Sequence, residues 1–363
     1  MRPSPPSGGG GSSPCRTCRR AGAREAARMT QSLAPTAVRR PAVRLSRPRR
    51  VLRTVAVLSC LPYLGLKTAW VAGSHVGIPH GSGLLDDRVG MAVINGLSVL
   101  LDSAVIVLAL LLTRPWGLRV PAWLPAFPVW VATGLLAPIM AGFPAQLVVK
   151  AFGGGSAPGA EHEPFLHGWV FTVVYSGFIL QGLALGALFV LYARDRWGHV
   201  WRGRVWELPV GVVGPAHRAL AVAAAVLALP PLTLHVLWAC GVDAGLSAGR
   251  AADRGGDFYV LEAVFVAFLV AAVAGGHLLA FRSLPALPVW VPLGLAWTGS
   301  GAVACWGGWL SLAPLGGVED LADRPTPLMN LAYAGQMLVG LLVAAIGAYC
   351  FAERSARAVR RAV

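Results

Sequence analysis

Charge is what this chain is short of, and acid above all. Only 13% of its 363 residues are charged, where soluble domains carry roughly 25%. Sixteen Asp and Glu stand against 31 Lys and Arg, and 56% of the chain is hydrophobic. The shortage excludes an ordinary soluble domain and makes lipid the main solvent. The familiar catalytic signatures are missing too: there is no HExxH, no GxSxG elbow and no pair of acids in a glycosidase-like setting. The glycine run at 153–155 lacks the Lys-Ser/Thr ending of a phosphate loop. Six cysteines do not make a disulfide framework. Cys60, Cys240, Cys305 and Cys350 fall in or near apolar stretches and read as small hydrophobes. Cys15 and Cys18 form a lone CxxC with no second pair nearby, short of the four ligands a zinc site needs.

The net charge of +15 is concentrated at one end. Residues 1–53 hold thirteen Arg and one acid, Glu25, and so supply +12 of it. With no aromatic interleaving and no nucleic-acid module, this basic tail reads as an orientation signal and a partner for anionic lipid headgroups, not as a nucleic-acid surface. Rich in Pro, Gly, Ser and Arg, residues 1–50 are expected to be disordered, and Met29 offers a more ordinary start.

What fills the rest is eight apolar runs, at 53–73, 91–113, 124–142, 168–192, 218–240, 258–281, 286–312 and 330–351, each near the 20 or so residues that a spanning helix requires. They predict an all-α polytopic membrane bundle. The basic residues of the connections (Arg53, Arg114, Arg119, Arg194, Arg196, Arg202, Arg204, Arg282 and the Arg-rich end after Arg354) all fall on one side. The other side carries Asp86, Asp87, Glu161, Glu163, Asp243, Asp253, Glu319, Asp320 and Asp323. By the positive-inside rule both termini are cytoplasmic.

The runs repeat. LPYLGLKTAWVAGSHVGI (61–78) matches LPPLTLHVLWACGVDAGL (229–246) at seven of eighteen positions, among them Pro62/Pro230, Trp70/Trp238, Gly73/Gly241 and Gly77/Gly245. LPAFPVWVATGLL (124–136) is echoed by LPALPVWVPLGLA (284–296). The offset between copies runs 168, 160, 160 and 158 through the four helices. Four helices per copy is an even number, so the copies share an orientation and form a parallel repeat. The expected divisions are a basic tail at 1–50, a first repeat at 51–198, a linker at 199–214, a second repeat at 215–353 and a basic tail at 354–363. Since the copy of the first run lies mid-chain, the first is a retained helix and not a signal peptide.

Ionisable side chains in hydrocarbon are costly and mark function or pairing. Lys67 aligns with His235, and Asp102 with Glu262, giving each copy a base on its first helix and an acid on its second. Lys67 lies about 21 Å from the cytoplasmic end and Asp102 about 18 Å, at 1.5 Å per residue, so an ion pair between them is expected. A histidine ordinarily titrates near neutrality, which points to the second copy as the pH-sensitive one. Gly182 and Gly186 match Gly340 and Ala344 and form small-residue packing faces, expected near the pseudo-twofold axis or at a dimer interface. Tyr175 and Tyr333 read as interfacial anchors, Pro125, Pro128, Pro285 and Pro288 as helix starts, and Pro138 and Pro292 as kinks. The outer loop with Glu161, His162, Glu163 and His167 has metal-binding residue types but neither helical spacing nor a rigid setting, and reads as a solvated loop. No metal or cofactor is expected.

The LPYLGLKTAWVAGS segment, the Arg-rich start and the Ala/Gly/Arg-heavy usage resemble the uncharacterised multipass integral membrane proteins common in high-GC actinobacteria, over most of residues 50–355. That resemblance implies the bacterial plasma membrane and no chemistry. The expected role is a non-catalytic membrane scaffold, regulator or subunit of a membrane complex, with a membrane-protein partner or a second copy of itself. The alternative is a transporter or permease-like protein for a small solute, ion or proton with a charged site between the repeats. An intramembrane enzyme acting on lipid or cell-wall precursors is a third reading.

Overall fold

Apolar runs of 20 residues and more leave the backbone one solution in lipid, which is to bond within itself as a helix. The computed structural model describes residues 46–79, 88–154, 166–208, 214–312, 314 and 324–362. Among them are eight long helices: α1 Arg47–Val71, α2 Arg88–Thr113, α3 Trp123–Ala151, α4 Gly168–Trp201, α5 Gly214–Ala239, α6 Gly256–Phe281, α7 Trp290–Leu312 and α8 Pro327–Ala362. A five-residue helix, Ala248–Ala252, precedes α6. The described residues form no strand, only an isolated bridge between Arg204 and Pro288. The basic tail with Cys15 and Cys18, the acids Asp86, Asp87, Glu161, Glu163, Glu319, Asp320 and Asp323, and His162 lie outside the described residues.

Seven of the helices are long and apolar enough to cross a membrane. The eighth, α7, has the length but is diluted by Gly294, Gly299, Ser300, Gly301, Gly307 and Gly308. Those small residues are why α7 packs against three neighbours at once. A Cβ on Gly299 would stand 2.4 Å from the Ala272 nitrogen of α6. On Gly307 it would stand 2.6 Å from the Met337 nitrogen of α8, and on the partner Gly134 of α3 2.3 Å from the Gly301 carbonyl.

Within 46–208, α1 packs on both α2 and α4; within 214–362, α5 packs on both α6 and α8. The third helices behave differently. Whereas α7 lies tightly along α6, α3 barely touches α2 and instead leans on α7 and α4. The α3–α7 seam is polar as well as close. Trp130 donates to Ser300 Oγ at 3.0 Å, Trp297 to Thr133 Oγ1 at 3.4 Å and Trp306 to the Leu135 carbonyl at 3.2 Å. By contrast α4 and α8 meet near one end, where Trp197 stands edge-on to Phe351 and Arg354 donates to the carbonyls of His199 and Arg202. The closest contact between residues 46–208 and 214–362 is thus that of α3 with α7, while α4 and α8 touch only near one end.

The proline readings also divide. Pro138 lies inside α3 and is buried, but Pro292 is the third residue of α7, where a proline needs no kink because its missing N–H has no partner to lose. Residues 284–289 are not helical at all, although their counterparts 124–129 are. Val205 and Trp206 donate backbone N–H groups to the carbonyls of Leu287 and Pro285, and Val289 donates to that of Gly203. The linker after α4 thus takes up the hydrogen bonds that a first helical turn would have used.

Candidate functional site

The polar residues of the apolar helices gather in two clusters, one in each half, and each is built on the end of a first helix. In α1 and α5 the helix stops at a glycine in the left-handed region, Gly73 (φ 89°) and Gly241 (φ 88°), where any side chain would be strained. The chain then turns back beneath a tryptophan: Trp70 Nε1 donates to the Val76 carbonyl at 2.8 Å and Trp238 Nε1 to that of Ala244 at 3.0 Å. Gly77 and Gly245, also at positive φ, seat the turn against the fourth helix, where an added Cβ would meet Val170 and Leu328 respectively. Of the residues that match between 61–78 and 229–246, the tryptophan and glycine pairs therefore hold the turn.

Three residues before each tryptophan stands the base. Lys67 Nζ lies 4.7 Å from the Trp70 ring centre and 5.1 Å from that of Tyr63. The His235 ring stands edge-on to Trp238 at 5.1 Å. From here the halves diverge.

His235 (0% exposed) is bonded through Nδ1 to a carboxylate oxygen of Glu262 (1% exposed) on α6, and through Nε2 to the side-chain amide of Gln336 on α8. With the amide nitrogen donating to Nε2, the imidazole carries its proton on Nδ1 and donates it to Glu262. The other Glu262 oxygen faces Arg250 Nη2 at 3.5 Å, from the short helix before α6. Phe265 and Trp238 pack against the imidazole, one tilted and one edge-on. Three long helices and one short one are tied at a single point, with the carboxylate charge answered by a guanidinium that is itself partly exposed.

Lys67 and Asp102 do not form the expected ion pair. Lys67 Nζ donates to Asn95 Oδ1 at 2.7 Å, and Asn95 anchors itself to the Met91 carbonyl at 2.7 Å. Asn95 sits seven residues before Asp102 on α2, about 10 Å away along the axis. Lys67 is four residues from the end of α1 and its flexible stem turns toward that end, as long cationic side chains do in apolar surroundings. Asp102 (5% exposed) receives instead a 3.4 Å bond from Gln181 Nε2 on α4. Its Oδ2, and the Oε1 of Gln181, are buried without a partner.

Gln181, Gln336, Asn95 and Arg250 were not singled out by the sequence reading. The signal was available for three of them, since Asn95, Gln181 and Gln336 are amides inside otherwise apolar helices. The two glutamines are not aligned: Gln336 corresponds to Phe178, one turn from Gln181, so comparing the repeats does not find them.

The small residues are placed as follows. A Cβ on Gly182 would meet Met140 and Leu136 of α3, and one on Gly340 would stand 2.6 Å from Ala304 and Ser300 of α7. Each thus seats the fourth helix on the third of its own half. Gly186 faces open space, and Ala344 is half-buried. Gly177 and Gly335 face the first helices, near the carbonyls of Ser59 and Leu227. Tyr333 (3% exposed) belongs to a core with Trp238, Leu234 and Met329, and so is a packing residue and not an interfacial anchor; Tyr175 lies against Phe143 and Phe171. Among the described residues no three His, Cys, Asp or Glu side chains converge as a metal site.

Neither a protein-family profile, nor a curated protein, nor a solved structure matches this chain.

Proposed function

We propose that this chain is a non-catalytic integral membrane protein, a scaffold, regulator or subunit of a membrane complex. It has eight spanning helices in two parallel four-helix repeats, with both ends in the cytoplasm of a bacterium. The observation that carries the role is the fate of its buried charges. His235 uses both ring nitrogens on Glu262 and Gln336 and so docks α5, α6 and α8, which suits a framework, although Gln336 Oε1 is left without a partner. The matched contacts of the two halves (Trp70 with Trp238, Gly77 with Gly245, Gly177 with Gly335, Gly182 with Gly340) support the duplication. The gathering of Arg49, Arg196 and Arg354 with the ends of α1, α4 and α8 supports a cytoplasmic, headgroup-facing surface there. The eighth span is α7, about 35 Å long at 1.5 Å per residue and enclosed by α3, α6 and α8, so that neighbours and not lipid accommodate its small and polar residues. The apolar faces left exposed, such as Val93, Leu97 and Leu100 on α2, suit a bilayer, a membrane-protein partner or a second copy.

The role is tested by purifying the wild type and Glu262→Gln. Wild-type protein in sealed vesicles is expected to pass protons and monovalent cations no faster than protein-free vesicles, and Glu262→Gln is expected to lose folded yield. A variant that folds normally but abolishes a measurable wild-type flux would establish the transport alternative. One observation favours that alternative: the unpartnered oxygens beside Asp102 have no role in docking. The two polar clusters, however, lie one inside each half with the α3–α7 seam between them, not in a shared site.

A further inference from the structure

Four side-chain oxygens among the described residues are buried without a partner, on Asp102, Gln181, Asp257 and Gln336, and two of them belong to groups that already face each other. Gln181 Nε2 donates to Asp102 Oδ1, and what remains is one oxygen on each group, Asp102 Oδ2 and Gln181 Oε1. Two acceptors cannot satisfy each other. One hydrogen between them does, because a protonated carboxyl and a primary amide form a closed ring of two hydrogen bonds, N–H to carbonyl one way and O–H to carbonyl the other.

We propose that Asp102 is a proton-binding site, a neutral carboxylic acid at neutral pH whose proton on Oδ2 is donated to Gln181 Oε1. The surroundings agree. Among the described residues no ammonium or guanidinium lies within 4 Å of Asp102, because Lys67 is held by Asn95. A carboxylate that is 5% exposed, with one long hydrogen bond and no paired cation, is heavily penalised in a helix interior. The titratable groups that face it from α1 are Cys60, Tyr63 and Lys67. Tyr63 is bonded to Ser98 of α2 and faces Tyr175 of α4, and α4 offers Asp102 itself only the neutral amide of Gln181. The two halves thus surround their aligned acids differently: Glu262 is bonded to His235 and faces Arg250, and Asp102 holds its proton between α1, α2 and α4.

Infrared absorption and carbodiimide labelling of the full-length protein test this at neutral pH. The wild-type spectrum is expected to contain a protonated-carboxyl C=O band that Asp102→Asn removes. Asparagine at 102 keeps the hydrogen-bonded ring, its Nδ2 donating where the acid O–H did, so Asp102→Asn is expected to melt at the wild-type temperature while Glu262→Gln melts lower. Dicyclohexylcarbodiimide adds across the O–H of a protonated carboxyl and nothing leaves, so peptide mass mapping should find the adduct on Asp102 of the wild type at neutral pH and lose it as pH rises. A carboxylate band removed by Asp102→Asn in place of the acid band overturns the proposal. So does a fall in melting temperature as large as that of Glu262→Gln. Labelling confined to acidic pH overturns it as well, and labelling suppressed by added sodium or potassium at constant pH replaces the proton with a metal cation.

Discussion

A carboxyl group in an apolar helix can be met by a cation and a histidine or by a lone amide, and Glu262 and Asp102 illustrate the two. Glu262 has His235 on one oxygen and Arg250 near the other. Removing one member of such a buried network leaves the rest uncompensated, at about 3–5 kcal/mol. Glu262→Gln is therefore expected to lower thermal stability in detergent by about that much. The double replacement His235→Leu with Glu262→Leu should recover much of the loss, because Arg250 is partly exposed and stays hydrated; a double variant no more stable than Glu262→Gln alone would show that apolar filling does not substitute for the network. The tryptophans act more modestly. Trp238→Phe removes the bond to the Ala244 carbonyl and should cost about 1 kcal/mol, as a single neutral hydrogen bond does; a thermal melt of the variant measures this. At this scale the sequence revealed the ionisable residues but not their partners. Lys67 and Asp102 align in depth when counted by backbone rise, but the ammonium sits at the end of a long stem and pairs where that stem leads, with Asn95.

Among the elements, α7 shows most clearly how composition and burial trade off. Its glycines lower its hydropathy and bring the backbones of α3, α6 and α8 close. Widening such a contact requires backbone to move. Gly134→Val would drive a side chain into the Gly301 carbonyl, 2.3 Å from where its Cβ must go, and overpacking of this kind costs about 1–3 kcal/mol. Gly186→Val, facing open space on α4, is expected to be close to neutral, and melting both variants side by side distinguishes a local wedge from a general intolerance of branched residues. The helices themselves were legible in the sequence because their apolar runs are long. Their ends were less so. α3 continues to Ala151 and α4 to Trp201, beyond the apolar stretches read as 124–142 and 168–192, since a helix outside hydrocarbon is no longer required to be apolar.

For the whole molecule the number of crossings decides the topology. If α7 spans with the other seven, the two ends lie on one side of the membrane; if it does not, they lie on opposite sides. Fusing a fluorescent reporter and a periplasm-dependent phosphatase to each end in turn is expected to give fluorescence and no phosphatase activity at both. Phosphatase activity at one end only would remove α7 from the spanning set. The halves meet mainly through α3 and α7, where indole N–H groups of both helices bind across the seam. That α3 leaves α2 and leans on α7 is a choice made by shape between surfaces distant in the chain.

The sequence by itself determined that the chain is helical and apolar, where its long helices lie, and that bases and acids sit within them, because each of these follows from residues near one another along the chain. The tertiary structure decided who partners whom. The near-identical segments LPAFPVW and LPALPVW make the first turns of α3 in one place and a non-helical turn bonded to the linker in the other. Aligned carboxyls face an arginine and a histidine in one half and a lone amide in the other. A hydrogen bond or a counter-charge is worth most where water is excluded, and which groups are brought together there is settled only when the helices pack.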